Sequence, residues 1–199
     1  MALGVLGGAF NPPHIGHLVL AQEAAAQLGL ERVLMVPTGR APHKEIADDP
    51  GAMTRLELTR AAAAANELLE VEPFEVDTAE GGDEPSYTVT TLEEVRLRDD
   101  ELVLLMGADV AAHLEEWHEP GRVVELARVG VAGRPGSAIG DAEAAVERVG
   151  GADRMEVVRM PALGVSSTDI RRRVAQGRPV RYLVTDGVLE LIEAERLYR

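Results

Sequence analysis

The 199-residue sequence contains no cysteine, which excludes disulfide scaffolds, thiolate nucleophiles and thiolate metal sites. Aromatic residues make up only 3% of the chain, so its core has to be built from aliphatic side chains and methionine. Positive charge is also scarce, with 20 Lys and Arg against 34 Asp and Glu, and Lys44 is the single lysine. The net charge of −14 argues against duplex nucleic acid or an anionic membrane as the main partner. Small anions remain possible ligands wherever cations gather locally.

Long apolar runs are absent as well. No stretch of about 18 apolar residues occurs, and the first residues lack the charged start of a signal peptide. We therefore expect a cytoplasmic protein without a membrane partner. The length fits one domain of ordinary size, either as a monomer or as a homo-oligomer.

Hydrophobic periodicity predicts short strands that alternate with helices. The expected strands cover residues 2–6, 33–36, 69–76, 102–106, 129–132 and 155–158. The expected helices cover residues 15–28, 53–66, 86–98, 123–127, 142–149, 166–176 and 188–197. Apolar strands alternating with helices favour an α/β fold with a doubly wound parallel sheet. We divide this single domain into an α/β core at 1–165 and a small helical C-terminal part at 166–199.

The first candidate site is the turn after the first strand, where open parallel sheets bind their ligands. Gly7 and Gly8 permit close approach of a ligand to the backbone, and two prolines then prepare the start of a helix. His14 and His17 follow three residues apart, on one face of that helix's first turn. Imidazoles beside free backbone N–H groups suit phosphate oxygens, and protonation would add charge. Metal ligation, or a capped helix with incidental histidines, is the alternative.

The second candidate site opens the predicted helix at 166–176. Ser166 followed by Asp169 is typical of a helix cap, a common pattern that carries no function by itself. Thr168 and Arg171 lie on the same side as the helix entrance, so a hydroxyl, free amides and a guanidinium converge there. This arrangement predicts a phosphate-sized pocket. The two arginines after Arg171 are interpreted as part of a solvated face.

These two motifs carry a family resemblance. Gly-Gly-Ala-Phe-Asn-Pro-Pro-His-Ile-Gly-His at 7–17 and Ser-Ser-Thr-Asp-Ile-Arg at 166–171 resemble those of the bacterial nicotinate mononucleotide adenylyltransferases, in the nucleotidyltransferase superfamily. The resemblance implies a Rossmann-like nucleotidyltransferase fold and transfer of the adenylyl group of ATP to nicotinate mononucleotide, with release of pyrophosphate. His-Ile-Gly-His also matches class I aminoacyl-tRNA synthetases. Their second signature is rich in lysine, however, and no lysine follows Lys44.

The resemblance also implies roles for individual residues. The catalytic residues would be His14, His17, Lys44 and Arg171. ATP would be bound by Gly7, Gly8, Phe10, His17, Gly107, Asp109, Arg134, Ser167, Thr168 and Arg171. Nicotinate mononucleotide would be bound by His14, Lys44, Tyr87, Thr88 and Trp117. Mg²⁺ would be the cofactor, bridged through phosphates without a protein ligand.

The acceptor residues also have simpler interpretations. Trp117 can sandwich a flat ring, but taken on its own an ordinary half-buried tryptophan is the favoured interpretation. For Tyr87 and Thr88, taken alone, a simple helix N-cap is likewise the favoured interpretation. Three positions depart from the family pattern, at Ala9, Asn11 and Thr90, and no contact is assigned to them.

Other functions remain open at this point. A sister adenylyltransferase would use nicotinamide mononucleotide, phosphopantetheine or flavin mononucleotide in place of nicotinate mononucleotide. A nucleotide-binding module without catalysis belongs to a different class. Such a module is expected to have lost a histidine or the Ser-Thr-Arg cluster, and this sequence retains both.

Overall fold

The computed structural model describes residues 2–42, 46–64, 66–82, 85–98, 101–133 and 139–199. Its strands are β1 (Ala2–Gly8), β2 (Leu30–Pro37), β3 (Leu69–Val71), β4 (Leu102–Gly107), β5 (Ala127–Gly133) and β6 (Met155–Arg159). They form one six-stranded sheet in the order β3-β2-β1-β4-β5-β6. The pairs β1–β4, β4–β5 and β5–β6 are parallel, with Leu3 opposite Leu102 and Val129 opposite Met155. This confirms the predicted doubly wound parallel sheet.

Helices connect and flank the strands. They are α1 (Ile15–Leu28), α2 (Ala52–Ala63), α3 (Phe74–Gly81), α4 (Thr88–Arg96), α5 (Ala108–Ala111), α6 (Pro120–Leu126), α7 (Ile139–Arg148), α8 (Ser167–Ala175) and α9 (Asp186–Ala194). Within the described ranges, no helix is both long enough and apolar enough to cross a membrane.

The largest difference from the predicted elements lies at 69–76. The strand ends at Val71, and α3 starts at Phe74, where a continuous strand was expected. Pro73 precedes the helix, and the Glu72 side chain accepts a hydrogen bond from the Phe74 N–H at 3.1 Å. This turn satisfies an amide at the helix start and ends the extended conformation, which apolar periodicity alone does not reveal.

The described residues divide into two compact units. The first contains the described residues of Met1–Gly7, Leu20–Leu34 and Tyr87–Ala162. Strands β4 and β5 lie in its interior, and five consecutive residues from Leu102 are buried. The strand order reverses between β1 and β4, and open parallel sheets bind ligands at the carboxyl ends of strands beside such a reversal.

The second unit contains Gly8–Val19, Met35–Ser86 and Leu163–Arg199. Its apolar core joins side chains of α2, such as Leu58, to Ile170 of α8 and Ile192 of α9. The C-terminal helices therefore pack on α2, while the chain segment that carries the two histidines belongs to the same unit. A helical C-terminal part is confirmed, and its boundary at residue 166 stays a prediction.

Candidate active site

The turn after β1 is fixed by a buried phenylalanine. Phe10 is 2% exposed and has a φ of 47°, in the left-handed region that non-glycine residues rarely adopt. Its ring meets the edge of the His17 ring, with the two centroids 5.1 Å apart. Gly8 faces the same ring, because a Cβ there would lie 3.5 Å from the Phe10 side chain. The aromatic side chain thus shapes the turn and supports one of the predicted histidines.

His14 and His17 stack on each other at the start of α1. Their ring centroids are 3.8 Å apart and the planes are inclined by 21°. The backbone N–H of His14 donates a hydrogen bond to Nδ1 of His17 at 3.1 Å. Since Nδ1 is the acceptor, the neutral ring carries its hydrogen on Nε2 and can donate from there.

The charge state of His17 follows from its surroundings. Burial lowers the pKa of His17 well below its ordinary value of 6.5, and the neighbouring His14 lowers this pKa further. The ring is therefore neutral at physiological pH in the free protein. The sequence left open whether it acts as a donor or as a charge, and the structure favours the donor.

The start of α8 has the predicted cap. The Ser166 side chain accepts a hydrogen bond from the Asp169 N–H at 3.1 Å. The Asp169 carboxylate does not complete a reciprocal capping box, because it accepts hydrogen bonds from Arg173 and Arg172. Hydrogen bonds from the two guanidiniums lower the pKa of Asp169, and the bond from Arg173 has the larger effect. Arg172 and Arg173 thus neutralise a carboxylate, and the assignment of Arg171 alone to the site stays a prediction.

The two predicted motifs contact each other although they lie some 150 residues apart in sequence. The Ser167 hydroxyl donates to the carbonyl oxygen of Pro12, 155 positions earlier in the chain, at 2.8 Å. A guanidinium nitrogen of Arg171 donates to the Asn11 carbonyl oxygen at 2.9 Å. The structure therefore places the guanidinium and the hydroxyl beside the histidine-bearing turn. Thr168 is exposed on the first turn of α8.

The Arg171 guanidinium forms an ion pair with Asp48. Nε of Arg171 lies 3.2 Å from a carboxylate oxygen of Asp48, and the exposed fractions of the two side chains are 11% and 71%. A nearly buried cation is thus paired with an exposed carboxylate. Arg171 therefore binds a carboxylate in this conformation, and a guanidinium can bind phosphate oxygens in the same way.

Asn11 occupies the centre of the contact between the two motifs. Its amide nitrogen donates to the Ala47 carbonyl oxygen at 2.8 Å, and its side-chain oxygen accepts from the Tyr198 hydroxyl at 2.7 Å. Burial raises the pKa of Tyr198 far above its ordinary value, so the hydroxyl keeps its proton. A carboxylate at position 11 could not donate to Ala47. The departure at Asn11 therefore has a structural reason that the sequence did not reveal.

Arg55 of α2 was missed by the sequence analysis. It is 1% exposed, and its guanidinium binds backbone carbonyl groups as well as the Asp49 carboxylate. The sequence contained one signal for a buried position, because Leu58, Thr59 and Ala62 follow Arg55 at helical spacing. The structure buries all three. A charged residue on such a stripe indicates a buried ionic contact.

In the first unit, Gly107 ends β4 and Asp109 lies in the first turn of the short helix α5. Asp109 is exposed, and its carboxylate folds back over Gly107, so that a Cβ on Gly107 would lie 2.5 Å from an Asp109 oxygen. Glycine therefore leaves room for the aspartate side chain at the carboxyl end of this strand.

The predicted acceptor residues also lie in the first unit. Tyr87 and Thr88 are half-buried at the start of α4, and Trp117 is half-buried after a short 3-10 turn at Leu114–Glu116. The Tyr87 ring lies against the ring of His118, with centroids 4.2 Å apart. Tyr87 and the Trp117–His118 segment are therefore neighbours, and His118 is a candidate that the sequence analysis left without a role.

Two predicted residues, Lys44 and Arg134, lie outside the described residues. Among the described residues, no group of three or more His, Cys, Asp or Glu is arranged to hold a metal ion.

Comparison with known proteins identifies the family. The model for cytidylyltransferase-like proteins matches residues 5–173. A protein of Roseiflexus sp. named "Probable nicotinate-nucleotide adenylyltransferase" is 42% identical over 99% of this chain and 98% of its own length. A protein of Exiguobacterium sibiricum with the same name is 40% identical over 100% and 99%. The chain therefore belongs to the nicotinate-nucleotide adenylyltransferases, within the cytidylyltransferase-like family.

A solved structure agrees with this fold. Plasmodium falciparum nicotinic acid mononucleotide adenylyltransferase, complexed with NaAD, matches with a TM-score of 0.76 at 14% identity. The match covers 99% of this chain and 97% of the other. The likeness supports the Rossmann-like nucleotidyltransferase architecture.

Proposed function

We propose that this protein joins ATP to nicotinate mononucleotide, forming nicotinate adenine dinucleotide and releasing pyrophosphate, a step of NAD biosynthesis. The observation that carries the proposal is the contact between the histidine-bearing turn and the start of α8. There Ser167 and Arg171 donate to the backbone of residues 11 and 12, next to His14 and His17. In an acidic protein, this gathering of donors and positive charge favours a polyanionic substrate.

The chemistry requires neither a protein base nor a covalent intermediate. The nucleophile is the phosphate monoester of the mononucleotide, whose second pKa of about 6 leaves it mostly dianionic at neutral pH. Its oxygen attacks the α-phosphorus of ATP, and the bond to the bridging oxygen of pyrophosphate breaks. The site therefore has to align two anions and stabilise their crowded charge.

We assign the alignment of the two anions and the stabilisation of their charge to a neutral donor and to a charged one. His17, neutral and with Nδ1 occupied by the His14 N–H, donates from Nε2 to a phosphate oxygen. Arg171 supplies fixed positive charge and exchanges the Asp48 carboxylate for a phosphate. His14 and Lys44 complete the proposed catalytic group. The further ATP contacts that we propose are Gly7, Gly8, Phe10, Gly107, Asp109, Arg134, Ser167 and Thr168.

The acceptor is assigned to residues of the first unit. Trp117 is proposed to stack on the pyridine ring, and the start of α4 at Tyr87 and Thr88 is proposed to receive the nicotinate carboxylate. The half-buried state of these three side chains and the contact of Tyr87 with His118 support an aromatic recognition surface. His14 and Lys44 are proposed to contact the phosphate of the mononucleotide.

The metal is proposed to be Mg²⁺ that enters with ATP. The side chains meeting at the turn offer imidazole and guanidinium nitrogens, whereas Mg²⁺ prefers oxygen ligands. The nearby carboxylates of Asp48 and Asp49 are paired with Arg171 and Arg55. These residues do not form a magnesium site, so we assign the ion to the phosphate oxygens of the substrate. A cytoplasmic location is part of the same proposal.

One assay tests the proposed function. Pyrophosphate release from MgATP is measured with nicotinate mononucleotide, nicotinamide mononucleotide and phosphopantetheine as acceptors. The proposal expects the highest kcat/KM with nicotinate mononucleotide. A preference for another acceptor would move the protein to a sister activity. ATP binding without pyrophosphate release from any of the three would contradict catalysis and favour a nucleotide-binding module.

A further inference from the structure

Arg55 is a buried cation to which the proposed reaction gives no role. Its side chain is 1% exposed within α2, and removing a guanidinium from water is costly unless its donors are satisfied. The groups that satisfy Arg55 are unusual for a structural ion pair. Besides one carboxylate, they are backbone carbonyl oxygens from two separate loops of the second unit.

The carbonyl groups come from the residues that follow two strands. One terminal nitrogen of Arg55 donates to the Ala9 oxygen at 3.2 Å and also to the Thr38 oxygen. The other donates to the Gly39 oxygen at 3.1 Å. Ala9 follows the end of β1, and Thr38 and Gly39 follow the end of β2. Arg55 therefore ties together two loops at the carboxyl ends of strands, where open parallel sheets bind ligands.

Two further contacts hold the same arrangement. The Thr38 N–H donates to the Gly8 carbonyl oxygen at 2.9 Å, which brings the two loops together. One Asp49 oxygen accepts from both Nε of Arg55 and the Gly51 N–H, each at 2.9 Å. The guanidinium is thus also held by Asp49, in the loop before α2.

These contacts determine the direction of an amide group. In a trans peptide, the carbonyl and the following N–H point in opposite directions. The Ala9 carbonyl points toward Arg55, so the Phe10 N–H points away from it. The φ of 47° at Phe10 is unfavourable for a side chain with a Cβ, and the surrounding contacts have to maintain it.

We propose that Arg55 is a positioning residue for the transferred phosphate, holding the Ala9–Phe10 peptide so that the Phe10 N–H faces the phosphates of ATP. This inference rests on the proposed adenylyl transfer. The guanidinium suits the role because its planar fork reaches several carbonyl groups at once. A lysine at position 55 keeps the charge and loses the fork, so it tests geometry separately from charge.

The first experiment compares Arg55→Lys with Thr59→Val. Thr59 lies one turn further along α2, is fully buried, and donates from its hydroxyl to the Arg55 carbonyl oxygen at 2.7 Å. The threonine change disturbs the same helix without touching the guanidinium. We expect both variants to lower the Tm. Only Arg55→Lys is expected to raise the KM for ATP, by about tenfold, with a smaller change in the KM for nicotinate mononucleotide. Equal KM effects in the two variants would overturn the inference.

A second experiment uses chemical rescue. Guanidinium ion is added to Arg55→Ala, and methylammonium at the same concentration serves as the control. The inference expects guanidinium to restore part of kcat/KM for ATP and methylammonium not to restore it. Folded Arg55→Ala with the kcat and KM of the unmodified protein would overturn the inference.

A third measurement does not depend on turnover. In NMR spectra, the Phe10 amide resonance is expected to shift when MgATP is added, and Asp49→Asn is expected to reduce this shift. Asparagine keeps an oxygen for Gly51 and removes the charge that holds Arg55. An identical shift in Asp49→Asn would contradict the inference.

The same measurement separates the inference from the proposed function. A shift that depends on Asp49, in a protein that releases no pyrophosphate, would reject adenylyl transfer and keep the positioning role. A KM for ATP in Arg55→Lys equal to that of the unmodified protein, with pyrophosphate still released, would reject the positioning role alone.

Discussion

The proposed functional side chains lie in two regions and are held in place differently. One region is the histidine-bearing turn with the start of α8, and the other is the surface around Trp117. In the first region functional side chains are hydrogen-bonded to the backbone, as with Arg171 on the Asn11 carbonyl and His17 on the His14 N–H. In the second region Tyr87 and Trp117 are half-buried, and the contact that the structure shows is between the Tyr87 and His118 rings.

This difference corresponds to the two tasks of an adenylyltransferase. Stabilising charge in a transition state requires donors that are already oriented, because reorienting them during the reaction raises the barrier. Recognising a flat pyridine ring requires apolar surface, and the stacking energy depends less strongly on hydrogen-bond geometry. We therefore expect substitutions in the first region to affect mainly kcat or ATP, and those in the second to affect mainly the acceptor.

The largest effect is expected for His17→Ala. Losing one oriented donor to a developing charge typically lowers kcat by about 10²- to 10³-fold. The KM for nicotinate mononucleotide should change far less. Steady-state pyrophosphate release measures both values, and His113→Ala, at an exposed histidine of the first unit, is the control. A kcat for His17→Ala close to that of the unmodified protein would remove His17 from the catalytic group.

Arg171→Ala is expected to act mainly on ATP. A hydrogen bond to a charged group contributes about 1.5–3 kcal/mol, so the KM for ATP should rise roughly 10- to 100-fold. The matched control is Arg172→Ala, which removes an exposed guanidinium from the next position of α8. Similar KM values for ATP in the two variants would contradict a specific role for Arg171.

Trp117→Ala tests the second region. An aromatic contact contributes about 0.5–1.5 kcal/mol beyond the buried area, so the KM for nicotinate mononucleotide should rise roughly 2- to 10-fold. Trp117→Phe should recover part of the loss, because it restores a ring. An effect limited to the KM for ATP would show that the tryptophan does not stack on the pyridine.

The smallest expected effect concerns the titration of two histidines, His17 beside the turn and His113 in the first unit. The pKa of His17 lies below 6.5 because of burial, whereas a hydrogen bond to the Glu116 carboxylate raises the pKa of His113. NMR titration of the ring protons should therefore show His113 protonating first as the pH falls and His17 much later. The reverse order would contradict the buried, neutral state of His17.

The same shift has a consequence for stability. Below pH 6.5 the unfolded chain binds a proton at His17 that the folded protein does not yet bind. The contribution of His17 to the free energy of unfolding is therefore complete above pH 6.5 and is lost as the pH falls toward the folded pKa. Urea unfolding at pH 7.5 and 5.5 measures how much the free energy of unfolding falls between the two pH values. This loss should be smaller in His17→Gln than in the unmodified protein. An equal loss would contradict the shift.

Local patterns predicted much of the fold. The helix at 15–28 matches α1, and the strands at 102–106 and 129–132 lie within β4 and β5, because apolar runs and their period reflect burial directly. The prediction for 69–76 was wrong after Val71, since the Glu72 side chain and Pro73 begin a helix that hydrophobicity does not indicate.

The sequence by itself determined the order of the strands, the cap at Ser166 and the family, because these depend on neighbouring residues or on motifs of fixed spacing. The tertiary structure decided which distant groups meet. It paired Asn11 with Tyr198, 187 positions away, made His17 a neutral donor, and buried Arg55 among the carbonyl groups of two loops. Desolvation and hydrogen bonds between remote segments produce these properties, and they arise only when the folded chain excludes water from the groups involved.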